Sequence, residues 1–168
     1  MTWTVRPETR DDSPAVHAVN AAAFPTEAEA ALVESLRADP DAWMPGLSYV
    51  AQSPDGSVAA FALLTRCRVG GAPALALAPV ATAPEHQHRG AGSAVVRGLL
   101  EAAREYGEPL VLVLGHPEYY PRFGFVPASR YGIRPSFDVP DEAMMALVLD
   151  DSAPVPRGTI EYPPAFGV

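Results

Sequence analysis

Cysteine is nearly absent from this chain. Cys67 stands alone among 168 residues, so no intramolecular disulfide forms and no Cys–His set with zinc spacing exists. Lysine is missing altogether: the 12 basic residues are all arginine, against 20 acidic ones, for a formal net charge of −8. That balance argues against nucleic acid, whose phosphates require clustered cations. An acidic surface suits a cationic acceptor such as an amine, although acidic enzymes are common. No apolar run reaches the roughly 18 residues of a membrane span. The stretch Met1–Arg6 lacks the basic start and long apolar run of a signal peptide. A cytoplasmic location without a membrane partner is therefore expected. Cys67 lies in an alternating run and reads as a buried structural thiol.

What is present fits one globular domain over residues 1–168, with 48% hydrophobic and 19% charged residues. Alternation in Trp3–Arg6 predicts an opening strand. Ser13-Pro14 begins a helix with Val16, Val19 and Phe24 on one face. Thr26 and Glu29 have the spacing of a capping box for a second helix, ending near Leu36. Strands follow at Leu47–Gln52, Val58–Val69 and Ala74–Thr82, joined by turns at Ser53–Gly56 and Gly70-Gly71. The spacing of Val95, Val96, Leu99, Leu100 and Ala103 predicts a helix over Ser93–Tyr106, stopped by Gly107. Leu110–Leu114 is apolar throughout, as in a strand buried on both faces. A helical turn at Pro117–Tyr120 and strands at Gly124–Val126 and Ala143–Leu149 come next, the last two separated by a loop at Ser136–Glu142. The Pro-rich tail, about Pro154–Val168, reads as surface covering. Hairpins first and one strand–helix–strand crossover in the middle predict an α+β sheet, largely antiparallel, rather than a doubly wound one.

The segment Gln87-His88-Arg89-Gly90-Ala91-Gly92-Ser93 joins a strand to an amphipathic helix. Glycines let backbone N–H groups approach a ligand, and a helix N-terminus adds unpaired donors and partial positive charge. Together they suit a diphosphate, and Arg89 adds charge; a tight strand-to-helix turn explains the glycines alone equally well. No Gly-Lys-Ser/Thr follows, which excludes a P-loop. Val95 stands where a dinucleotide fingerprint needs its third small residue.

The longer string Leu77–Ser93 resembles the acetyl-CoA motif Gln/Arg-x-x-Gly-x-Gly/Ala of the GNAT superfamily of N-acetyltransferases, with a strand and a proline ahead of it. Downstream, Tyr120-Pro121-Arg122-Phe123-Gly124-Phe125 resembles the family's Tyr-x-x-x-Gly-Phe, and Val113–Phe125 is similar to a subgroup of small bacterial members. The resemblance implies a mixed, twisted sheet with helices on both faces, splayed between its fourth and fifth strands. It implies acetyl-CoA as co-substrate, no metal, and direct transfer of the acetyl group to an amine of a small molecule or protein. The pantetheine arm would lie in the splay against backbone groups of Val80, Ala81 and Thr82. An N–H there would polarise the thioester carbonyl, and Gln87, His88, Arg89, Gly90, Ala91, Gly92 and Ser93 would hold the diphosphate. Tyr120 would be the acid for the leaving thiolate.

Tyr119 is the neighbour of Tyr120, and adjacent side chains diverge, so one of the two is expected to face the sulfur. An alkylammonium with a pKa near about 10 must lose a proton before attack. Glu27, Glu29 and His116 are the candidate bases, beside deprotonation through water. His86 and His88 resemble metal ligands only superficially. A non-catalytic acetyl-CoA-binding regulatory module shares the same loop, and a purely structural interaction domain is a third alternative. The tail and an exposed sheet edge leave room for a homodimer.

Overall fold

The structure, a computed structural model, describes residues 2–168. Strand β1 (Thr4–Pro7) leads through a short turn into helices α1 (Ser13–Ala23) and α2 (Ala28–Arg37). Strands β2 (Trp43–Gln52), β3 (Val58–Val69) and β4 (Ala72–Thr82) then form an antiparallel meander. Helix α3 (Ala91–Glu105) crosses over to β5 (Leu110–Leu114), which runs parallel to β4. The short strands β6 (Val126–Pro127) and β7 (Ile133–Arg134), then β8 (Met144–Val148) and β9 (Gly158–Glu161), complete the chain. The sheet order is β1-β2-β3-β4-β5-β8-β6, with β9 attached to β3 and β7.

The strand period of two sorts side chains onto two differently covered faces. On β3, Ala60, Ala62 and Leu64 face α3 and pack with Val95, Val96 and Leu99. Phe61 and Leu63, between them, face Val16 of α1 and Val33 and Leu36 of α2. The same face further along, under β4, β5 and β8, has no long helix. There Ala74, Ala76, Leu110, Leu112 and Ala146 are covered by Ala128, Ile133 and Ile160. The bidentate pair of Arg37 with Glu8, at 3.1 and 2.8 Å, ties the end of α2 to the end of β1.

One irregularity positions everything that follows. Ala62 pairs with Val80, but Leu64 pairs with Leu77, so β4 carries an extra residue at Ala78-Pro79 opposite Leu63. Such a bulge bends the strand and increases its twist. Proline also has no N–H to donate to a neighbouring strand. Pairing of β4 with β5 is limited to Leu75 with Val111 and Ala76 with Leu112. Beyond that point the two strands part, as the splay between the fourth and fifth strands requires.

Two local expectations are corrected. Helix α2 starts one residue later than the Thr26–Glu29 spacing implies: Glu27 is its N-cap and Glu29 the second helical residue, so no capping box forms there. Thr26 Oγ1 accepts from the Ala28 N–H at 3.2 Å, and one Glu29 carboxylate oxygen is buried without a partner. The tail does not merely lie over the surface. Beyond Thr65 the edge of β3 is free of β2, and β9 takes that place, pairing Arg68 with Glu161 and Val69 with Ile160. Ile160, 1% exposed, is therefore a core residue. Replacing Ile160 by Ala should cost about 2–5 kcal/mol in urea unfolding; a surface-lying tail would register within about 0.5 kcal/mol.

Candidate active site

A cavity of about 610 Å³ opens where β4 and β5 part. Val80 and Thr82 of β4 form one wall, and the loop Gln87–Gly90 with the start of α3 forms the end. The segment after β5 supplies His116, Tyr119, Tyr120 and Arg122; Ala23 and Phe24 come from the end of α1.

The loop ahead of α3 owes its shape to two left-handed residues, His88 at φ 63° and Gly90 at φ 88°. Glycine takes that conformation without cost; at His88 it costs of order 1 kcal/mol, as backbone strain at ligand sites commonly does. Gly90 caps a 15-residue helix, so unpaired N–H groups and the positive end of its dipole meet the cavity. A Cβ on Gly92 would lie 2.9 Å from Thr82 Oγ1 and 3.7 Å from the Tyr119 hydroxyl. Its absence lets the strand end, the helix start and the tyrosine converge. From the far edge of the sheet, the Trp3 indole donates to the Arg89 carbonyl at 3.1 Å and packs edge-on against His86 at 5.5 Å.

The two tyrosines differ in their surroundings. The Tyr120 ring lies over Gly115, where any Cβ would overlap it, and meets Phe125 edge-on at 5.8 Å. Burial, with a smaller contribution from Tyr119, pushes the Tyr120 phenol up to about 12. The Tyr119 hydroxyl is 2.9 Å from Ser93 Oγ. Its ring lies under the Arg122 guanidinium at 4.2 Å, and Arg122 Nε donates to the Tyr119 carbonyl at 2.8 Å. Both tyrosines line the cavity. A tight helical turn at Tyr120–Phe123, later in the chain than the one expected at Pro117–Tyr120, brings them to the same side.

Of the residues expected to hold a coenzyme, Val80, Thr82, Gln87, His88, Gly90, Ala91, Gly92 and Ser93 stand on the wall. The Ala81 side chain points to the opposite face, packed with Val19 and Ala83. Arg89 is held through its carbonyl, and its side chain is not part of the wall. Among the candidate bases only His116 lines the cavity, with its side chain 84% exposed and 3.8 Å from Glu118; Glu27 and Glu29 do not. Sequence reasoning missed Trp3 and Phe24 as site-forming residues. Trp3 lies 86 residues from Arg89, and no local pattern signals that contact. Among the described residues no three His, Cys, Asp or Glu side chains gather as a metal site, and no helix is long and apolar enough to cross a membrane.

Comparison with known proteins agrees with this geometry. The family model of the acetyltransferase (GNAT) domain matches residues 4–128. The uncharacterized N-acetyltransferase YjhQ of Escherichia coli (strain K12) is 37% identical over 138 residues, covering 79% of this chain and 75% of that protein. A solved structure of the GNAT family N-acetyltransferase YhbS from Escherichia coli, in complex with CoA, superposes with a TM-score of 0.91 at 28% identity, covering 99% of this chain and 92% of the other. A GNAT family acetyltransferase from Brucella melitensis, in complex with acetyl-CoA, gives 0.79 at 27% identity, with 98% of each chain covered.

The burial of Tyr120 has a measurable consequence. A folded-state pKa raised from 10.0 to about 12 stabilises the fold below pH 10, and that contribution is lost as pH rises toward 12. Burial pushes Tyr162 up to about 12 as well, so in an alkaline titration followed at 295 nm Tyr120→Phe should remove one of the late-ionising phenols and leave the Tyr162 step in place.

Proposed function

The chain belongs to the GNAT family of acetyltransferases, and from that premise we propose that it moves the acetyl group of acetyl-CoA to an amine by direct attack in a ternary complex. The observation that carries this reading is the cavity itself. It lies in the splay beyond Ala76 and Leu112, and a phosphate-suited loop and helix N-terminus close one end of it. Two structurally similar relatives hold CoA and acetyl-CoA.

In this reading the pantetheine arm runs along β4 as an added strand, taking backbone groups near Val80–Thr82 that β5 leaves unpaired. The diphosphate rests on Gln87–Ser93 at the start of α3. The amine nitrogen attacks the thioester carbonyl carbon, and a β4 N–H stabilises the developing oxyanion. The carbon–sulfur bond then breaks, leaving the amide and a thiolate. The nitrogen loses a proton and the thiolate takes one up, so charge balances.

The Tyr120 phenol, at about 12, is a much weaker acid than a thiol with a pKa near about 8.5. Tyr120 therefore acts as a hydrogen-bond donor to the sulfur as charge develops, and the proton that finally reaches the sulfur comes from the attacking nitrogen. His116, which lines the cavity, would be the side chain to take that proton from the nitrogen, with water as the other route. The chain is read as one domain acting in the cytoplasm on a small-molecule or protein amine, without nucleic acid or membrane as partner.

Calorimetry should show micromolar binding of CoA and acetyl-CoA, and a panel of amines should reveal turnover followed by thiol release. Tyr120→Phe should lower kcat roughly tenfold to hundredfold with little change in KM, the loss of one hydrogen bond to a charge-bearing sulfur. Binding without turnover on any amine would instead identify a regulatory acetyl-CoA module.

A further inference from the structure

We propose that Tyr119 is a positioning residue: through the Ser93 hydroxyl it couples occupation of the diphosphate site to the placement of Tyr120. The proposal rests on the acetyl-CoA reading above. Its starting point is a single hydrogen bond between parts of the chain on opposite sides of the splay. Ser93 is the third residue of α3, the helix that follows β4, and Tyr119 lies on the segment that follows β5. Their hydroxyls are 2.9 Å apart, with Gly92 and Thr82 Oγ1 immediately beside them.

The segment bearing Tyr119 is a stiff unit. The Tyr119 and Tyr120 N–H groups both reach the His116 carbonyl, at 3.1 and 3.3 Å. Arg122 donates to the Tyr119 carbonyl and stacks on its ring. The tyrosine rings meet edge-on at 5.0 Å. Fixing the Tyr119 hydroxyl therefore fixes the neighbouring ring whose hydroxyl meets the sulfur.

A bound phosphate gives the pair a direction. In its absence either hydroxyl can donate to the other. A phosphate oxygen only accepts, so Ser93 would donate to it and Tyr119 would donate to Ser93 Oγ. Hydrogen bonds in such a chain polarise and strengthen one another. Binding energy gathered at the remote diphosphate would thus be used to order the group at the reacting end, raising kcat as well as affinity.

The test compares CoA with pantetheine, which keeps the thiol arm but lacks the diphosphate. Tyr119→Phe retains the ring, its packing and the Arg122 contact. It should weaken CoA about three- to tenfold in calorimetry, the loss of one hydrogen bond, and leave pantetheine unchanged. Ser93→Ala should reproduce the effect, and the double variant should be no weaker than Ser93→Ala alone. With the amine that the wild type acetylates fastest, the kcat advantage of acetyl-CoA over S-acetylpantetheine should shrink in Tyr119→Phe. Equal losses for CoA and pantetheine, additive variants, or an unchanged kcat ratio would overturn the coupling while leaving the acetyltransferase reading intact. Failure of the wild type to bind CoA would overturn both. If Tyr119→Phe does not fold, the kcat ratio of acetyl-CoA to S-acetylpantetheine in Ser93→Ala decides: a smaller ratio supports the coupling, whereas a raised KM for acetyl-CoA with an unchanged kcat ratio would make Ser93 a plain phosphate contact and overturn it.

Discussion

The parallel ladder between β4 and β5 ends after two residue pairs, Leu75 with Val111 and Ala76 with Leu112, and the site depends on that interruption. Backbone N–H and C=O groups beyond it face a gap, and such groups are costly to bury unless something pairs with them. Two features of β4 act together to open the gap. The extra residue opposite Leu63 bends the strand, and Pro79 lacks a donor with which to continue the ladder. The gap becomes a binding groove because a ligand able to pair like a strand can fill it.

A sheet that opens in the middle must be held together elsewhere. Helix α3 does this on one face, since Val95, Leu99 and Ala103 belong to the same cluster as Leu64 and Leu75 on one side of the splay and Val111 and Met145 on the other. On the other face the tail contributes Ile160, packed with Ala74, Leu112 and Ala146. Arg66 adds a polar tie, a bidentate pair with Glu108 at 3.0 and 2.8 Å and a bond to the Ala74 carbonyl at 3.0 Å. The open end is spanned by the Tyr119–Ser93 bond. The two halves are thus fixed at their closed end by packing and meet at their open end through hydroxyls, which suits a groove that must admit and release a long coenzyme.

How much of this was legible follows from the range over which each signal acts. Helix α3 and its cap are readable because Val95, Val96, Leu99 and Leu100 repeat at helical spacing and Gly90 and Gly92 precede them. The hairpins β2–β3 and β3–β4 are readable from turns between alternating runs. Strand β9 is not: four residues with Ile160 as the one large apolar side chain carry no period, and their partner Arg68–Val69 lies some ninety residues earlier. Glu29 was misplaced by a shift of one residue in the start of α2. That is the usual uncertainty of helix ends, but it removes a capping box.

By itself the sequence determined which backbone conformations are cheap at each position and which faces are apolar. Those local preferences were enough for the strand–loop–helix unit at Thr82–Ser93 and for the α+β class. Only the tertiary structure decided which side chains reach the loop. It turned Ala81 away while bringing Val80 and Thr82 to the wall, and it pinned Arg89 through Trp3. It also placed Tyr119 beside Ser93 and buried the ring of Tyr120 over Gly115. The Trp3–Arg89 and Tyr119–Ser93 contacts join residues far apart in the chain, so their energy exists only after the sheet has formed. The loop offers glycines and a helix N-terminus; the fold around it supplies the tyrosines and the groove.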